Sequence, residues 1–419
     1  MFDYFKKINK LLKSNDLKYN SEASEKYLIL LVCLIIGFNS VQDVFLYGLR
    51  TLIIIPKDYI FTYFFHLVFI ILSLKLIVSR INWDSIFILI FFITAYLASL
   101  TFYGAEPENR FKLGYEILLS VSCYIVGSCI NNFAKLKIYL EFTSILIGIS
   151  VFTLFFILNQ SDEDTYSQYF GYMALPAAVI STNALFGKFR IVHLLNCLLS
   201  IIVIIYAGAR GPLLCYLLFV AFKIIFTGNI STKKRVSNII VLIILAGITI
   251  FFYNEIISNL YDIGSRKGYS LRLLTLAEGD RFFTDQGRKN LLENSIKILE
   301  DNPLTGVGIY NDRIFLAKHL GESINNVKGS YPHNILIEIL LHFGLILGSL
   351  IIIWILWIIA KALLINRKHG PKEIVLILLP LGFFRLLISG SYLEYGVFFL
   401  FLGLTMNALR YEKVGQKVL

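Results

Sequence analysis

The 419-residue chain is 57% hydrophobic and only 16% charged, with a mean hydropathy of +0.71, whereas an ordinary soluble chain is about a quarter charged. Long apolar runs recur along nearly its whole length, which excludes a soluble enzyme and marks a membrane protein. Basic residues outnumber acidic ones by 39 to 28, yet much of the excess sits in short segments between apolar runs, where it sets orientation and gives little support to nucleic-acid binding.

Residues 1–26 form a polar tail carrying Lys6, Lys7, Lys10, Lys13, Lys18 and Lys26, and no small-residue cleavage pattern follows the next apolar run, so the tail does not read as a signal peptide. A helix rises about 1.5 Å per residue and the hydrocarbon core is about 30 Å thick, so a span needs roughly twenty apolar residues. The pattern predicts an all-α, polytopic helical bundle of about twelve spans, near 27–47, 59–79, 84–102, 113–131, 138–158, 170–187, 191–208, 212–228, 237–257, 333–365, 372–390 and 392–410. With the lysine-rich tail inside, the inner segments carry Arg80, Lys135, Lys137, Lys188, Arg190, Lys233, Arg235, Arg367, Lys368, Lys372, Lys413 and Lys417. The short outer segments carry few basic residues. This bias predicts a multi-pass protein of the cytoplasmic (inner) membrane, with a membrane domain at 27–410 and both termini, including the tail 411–419, in the cytoplasm. The same parity puts the long polar segment 258–332, between helices 9 and 10, on the outer face. Cys33, Cys123, Cys129, Cys197 and Cys215 all lie in apolar runs, so neither a disulfide framework nor a thiolate metal cluster is visible.

The tenth run is too long for one simple span, since 334–365 as a single helix would reach about 48 Å. It is expected to divide into an oblique outer stretch, 333–343, and a true span, with Gly344 and Gly348 allowing a bend or close packing. Within the outer loop, 288–300 predicts an amphipathic helix with Leu291, Leu292, Ile296 and Leu299 on one face, stopped by Asn302-Pro303. Such a helix either rests on the bilayer or caps the bundle.

Three positions near this face carry chemistry. Arg210, in Ala209-Arg210-Gly211-Pro212, enters span eight; Arg288, in Gln286-Gly287-Arg288, opens the loop helix; His333, in Tyr331-Pro332-His333-Asn334, begins span ten. Two guanidinium forks suit a diphosphate, and one imidazole suits proton transfer near neutral pH. Taken singly, Arg210 also reads as a snorkelling or topology residue, Arg288 as a solvated helix start and His333 as a polar residue at a helix start. Arg385, Glu338 and Glu394 fall in the outer half of apolar runs, and Asn334 and Glu338 are four apart on one helical face. They describe either a polar cavity open to the outer surface or a set of structural ion pairs. The acidic turn Asp162-Glu163-Asp164 reads as solvated, and no P-loop, dinucleotide fingerprint, paired CxxC or HExxH motif occurs.

The order Ala209-Arg210-Gly211, Gly287-Arg288, Asn302-Pro303-Leu304-Thr305-Gly306-Val307-Gly308 and Pro332-His333-Asn334, with Gly344 and Gly348 downstream, resembles the O-antigen polymerase and ligase superfamily across Ala209 to Leu350. Leu291 stands where an aromatic is common in that family. The resemblance implies a C-type glycosyltransferase architecture with its active site under the outer loop, a polyprenyl-diphosphate-linked glycan as donor, an inverting displacement and no metal or other cofactor. It further implies that Arg210 and Arg288 hold the diphosphate and His333 positions or deprotonates the acceptor hydroxyl, with Arg385, Asn334 and Glu338 as further substrate-binding candidates. The reading favoured within the family is a polymerase of O-antigen or capsular repeat units, with lipid-linked donor and acceptor, membrane lipids and a chain-length regulator as its expected partners and no nucleic acid. An O-antigen ligase or a protein-glycan transferase shares the donor. A lipid-linked glycan flippase is the alternative of another class, disfavoured by the single long outer loop and the lack of duplicated halves.

Overall fold

A computed structural model describes residues 24–38, 66–73, 83–103, 107–157, 168–187, 189–207, 210–226, 286–321, 331–365 and 370–416. Every regular element among them is helical. Residues 24–38 and 66–73 are helical and precede α1 (Trp83–Tyr103), α2 (Pro107–Ser128), α3 (Phe133–Phe152), α4 (Gln168–Gly187), α5 (Ile191–Tyr206) and α6 (Arg210–Phe226). After them come α7 (Gln286–Asp301), α8 (Asp312–Leu320), α9 (Ile335–Leu363), α10 (Pro371–Leu379), a π-helical turn at Pro380–Phe384, the single turn α11 (Arg385–Ile388) and α12 (Gly396–Gln416).

Three of the described helices are long and apolar enough to cross a membrane: Phe133–Phe156, Gln168–Gly187 and Ile335–Leu363. Shorter apolar helices occupy Ile86–Ser99, Gly114–Ser128 and Ile191–Tyr206. The protein is therefore a helical membrane protein; of the twelve expected spans, 237–257 lies wholly outside the described residues, as does 258–285 of the outer loop. α4 is buried on all sides from Phe170 to Ala184 and packs against α3, α5 and α6, as an apolar helix without a polar face must.

The expected division of the tenth run is present. Gly344 sits at φ 73°, ψ 177° inside α9 and kinks it. The loop turn after α7 seats in that kink: the Val307 amide donates to the Leu341 carbonyl at 2.7 Å, and the Leu345 amide to the Pro303 carbonyl at 2.7 Å. A kink frees backbone groups that cannot remain unpaired in an apolar surrounding. The turn pairs two of them. Gly306, at φ 64°, and Gly344 meet backbone to backbone here, a left-handed conformation and a close approach that a Cβ on either residue would prevent.

The loop helix is also present, as α7, and ends at Asp301 directly before Asn302-Pro303. Its buried stripe differs from the expected one. Ser295 and Ile298 are fully buried, and Leu291, Ile298 and Leu299 pack with Val307, Leu316, Ala317, Leu341 and Ile337, whereas Leu292 and Ile296 are 38% and 42% exposed. Residues 291, 295 and 298 align at the helical period, and 292 and 296 lie about 100° further round. α7 thus caps the bundle by resting on α9 and α8. The runs expected at 372–390 and 392–410 correspond to two helical stretches. The first consists of α10, the π-helical turn beginning at Pro380 and α11, which follow one another without a gap to Ile388, and the second starts at Gly396. A proline in a helix interior removes a backbone donor and crowds the preceding turn, so the ladder is repaired locally with a wider turn.

Candidate active site

The break between α11 and α12 gathers most of the candidate residues. Arg288, in the first turn of α7, donates from Nη1 to the Ile388 carbonyl at 2.9 Å. Asn334 caps α9, its Oδ1 accepting from the Leu336 amide at 2.9 Å and the Ile337 amide at 3.4 Å, while its Nδ2 donates to the Leu387 carbonyl at 3.3 Å. The start of α6 arrives from another side: a Cβ on Gly211 would lie 2.5 Å from the Tyr172 hydroxyl and 3.2 Å from Ile388 Cγ2, so only glycine permits this approach next to Arg210. Arg385 stands between two tyrosines, 4.3 Å from the Tyr172 ring centre and 4.1 Å from that of Tyr395, and donates to the Tyr395 hydroxyl at 3.0 Å. Among the described residues no carboxylate forms an ion pair with it.

His333 precedes Asn334 and adopts φ 55°, a left-handed conformation uncommon for a residue with a side chain and often found where a site demands it. Its ring rests against that of Tyr331, centres 4.2 Å apart. Arg288 and Asn334 thus hydrogen-bond to the turn Arg385–Ile388, Gly211, next to Arg210, approaches it closely, and His333 directly precedes Asn334.

Glu338 pairs instead with the chain that follows this turn. It is fully buried, accepts from the Ser391 hydroxyl in a short hydrogen bond and from the Tyr392 amide at 3.1 Å. Around it lies a charged cluster that sequence reasoning did not assemble. His342, one turn further along α9, has Nε2 3.1 Å from Asp312 Oδ1 and Nδ1 2.7 Å from the Tyr392 hydroxyl. Arg313 reaches Asp312 Oδ1 at 3.4 Å and Glu394 Oε1 at 3.1 Å, and lies 4.2 Å from the Tyr310 ring centre. Burial alone would raise the Asp312 carboxyl, but His342 and Arg313 outweigh it and hold Asp312 below the usual carboxylate range. Burial works against the Arg313 charge in the same way, and Asp312, Glu394 and Glu338 overcome it, raising Arg313 above its ordinary value.

Ligand atoms of Asp312, Glu338 and His342 lie within 4.8 Å of one another, the spacing of a cation site. Arg313 already places one cation beside Asp312, at 3.4 Å. The signal that could have found the cluster is Glu338 and His342 at i and i+4, two polar residues on one face of an otherwise apolar helix. Asp312-Arg313, in a loop, gave no comparable sign.

Residues 195–353 match the family described as O-antigen ligase, in accord with the O-antigen polymerase and ligase superfamily. The matched stretch contains Arg210, Arg288, the turn 302–308, His333 and the kink at Gly344. The match marks a polysaccharide-assembly membrane enzyme family, and polymerases are not distinguished from ligases by it. No curated protein matches the chain.

Proposed function

We propose that this protein polymerises lipid-linked oligosaccharide repeat units at the outer face of the cytoplasmic membrane, with both chain termini on the cytoplasmic side. An acceptor hydroxyl of one lipid-linked unit attacks the anomeric carbon of the growing glycan. The carbon–oxygen bond to polyprenyl diphosphate breaks with inversion, and the hydroxyl proton passes to His333. The observation that carries this reading is the turn Arg385–Ile388, which Arg288 and Asn334 hold by hydrogen bonds and the start of α6, next to Arg210, approaches closely, while Arg385 pairs with no carboxylate among the described residues. Fixed guanidinium groups stabilise the charge that develops on a departing diphosphate, and a positioned imidazole accepts the proton. The chemistry calls for no nucleotide sugar and no metal.

Purified protein given only polyprenyl-diphosphate-linked repeat units should join them into longer lipid-linked chains without ATP or an ion gradient, and EDTA should leave the rate unchanged. His333→Ala should lower elongation by about 10²- to 10⁴-fold while leaving donor binding largely intact. Undiminished growth in that variant would remove His333 from the proton transfer. The second reading, a ligase, is favoured by the description of the matched family. A ligase leaves the units unjoined until a separate acceptor is added, and a flippase moves them at constant length.

A further inference from the structure

Glu338 shares a helical face with Asn334 yet is fully buried, beside Ser391, Tyr392, Asp312 and His342. Its two oxygens are taken up by Ser391 and the Tyr392 amide. Asn334, one turn earlier on α9, holds the Leu387 carbonyl. The start of α9 therefore grips both ends of the segment 387–392, and Arg288 of α7 grips it at Ile388, next to the Leu387 end. Arg385 lies two residues before this segment and its hydroxyl partner, Tyr395, three residues beyond it. Ser389–Tyr395 is the non-helical stretch between α11 and α12, with Gly390 at φ 106°, so no intrahelical ladder fixes its path. The tether must come from side chains.

We infer that Glu338 is a positioning residue for the transfer reaction: by holding Ser391 and Tyr392 it fixes the α11–α12 break, and through it the aim of the Arg385 guanidinium toward the leaving diphosphate. His342 reinforces the hold through the Tyr392 hydroxyl, and Asp312 ties His342 to α8 of the outer loop. This rests on the polymerase or ligase reading above, because it assigns Glu338 a task within that reaction. A carboxylate suits the task, since it accepts from a hydroxyl and an amide at once and a charge-assisted hydrogen bond is roughly twice as strong as a neutral one.

The test uses full-length protein in phospholipid nanodiscs and compares wild type, Glu338→Gln, Ser391→Ala and Arg385→Lys. Glu338→Gln should lower kcat by about ten-fold with KM for the lipid-linked donor changed by less than about two-fold, because an aimed guanidinium acts on the transition state more than on ground-state binding. Hydrogen exchange of the backbone amides at 387–395 should quicken in the same variant. Ser391→Ala, which removes one hydroxyl and leaves α9 unaltered, should show both effects in smaller measure and guards against a Glu338 variant that fails to fold. The double variant Glu338→Gln with Arg385→Lys should be little slower than Arg385→Lys alone. Fully multiplicative losses, a change confined to KM, or exchange at 387–395 equal to wild type in both single variants would each overturn the assignment. Exchange is read whether or not chains grow, so a wild-type protein that transfers no glycan to any acceptor refutes the reaction and not the tether.

Discussion

Arg313 and Arg385 lie at the same end of the bundle and both stack on tyrosine rings, yet their surroundings differ in one respect. Arg313 is 4% exposed and pinned by Asp312 and Glu394, with Glu338 and His342 close behind. Arg385 is half-buried and meets only a hydroxyl and two aromatic faces among the described residues. A guanidinium neutralised by carboxylates has spent its charge within the fold, whereas one held by neutral partners keeps its position and its positive field. The first joins loop to bundle. The second suits an anionic ligand.

The largest expected effect breaks the first member of this pair. Arg313→Leu strands Asp312 among buried groups, and removing one partner of a buried ion pair costs roughly 3–5 kcal/mol. Thermal unfolding in detergent should show that loss, and a melting temperature within a degree or so of wild type would mean that Arg313 does not hold the loop. Arg385→Lys keeps the charge but loses the planar fork, so transfer should slow by about ten- to hundred-fold, the equivalent of one charge-assisted contact of roughly 1.5–3 kcal/mol, with stability little changed. Steady-state kinetics alongside the melt separate the two outcomes.

Asp312 sharpens the contrast through pH. Its carboxyl lies below the usual range in the folded protein, so its share of stability is complete above the unfolded value near 4 and is lost as pH falls through the lower folded value. Asp312→Asn should therefore flatten the acid limb of the stability profile relative to wild type; an unchanged limb would detach Asp312 from the cluster. The smallest effect belongs to Lys289, whose ion pair with Glu293 at 3.8 Å is exposed on both sides. Lys289→Ala should change stability by less than about 0.5 kcal/mol, which denaturant titration can check.

Elements set by local rules were legible from residue order alone. Gly344 in an overlong apolar run foretold the kink, and Asn302-Pro303 foretold the end of α7 at Asp301. The boundary between α11 and α12 was legible near residue 391, but not its length, Ser389–Tyr395, because Tyr392, Leu393 and Tyr395 read as the start of the next apolar run. Arg210, Arg288 and His333 drew notice as polar residues at helix starts, and α6, α7 and α9 bring those starts to Arg385–Ile388. Asp312 and Arg313 escaped notice for the opposite reason: charges in an outer loop read as solvated until tertiary contacts bury them. Glu338 was singled out as a charge within an apolar run, but its inward-facing partners depend on a chain segment more than fifty residues away, which spacing along α9 cannot show.

The most direct test of the account is binding of a short-chain polyprenyl diphosphate, with its monophosphate as reference, to wild-type protein and to Arg385→Gln and Arg288→Gln by calorimetry in detergent. The account predicts tighter binding of the diphosphate by wild type and about a ten-fold or greater loss of that preference in each variant. Equal affinity for the diphosphate in wild type and both variants would contradict it.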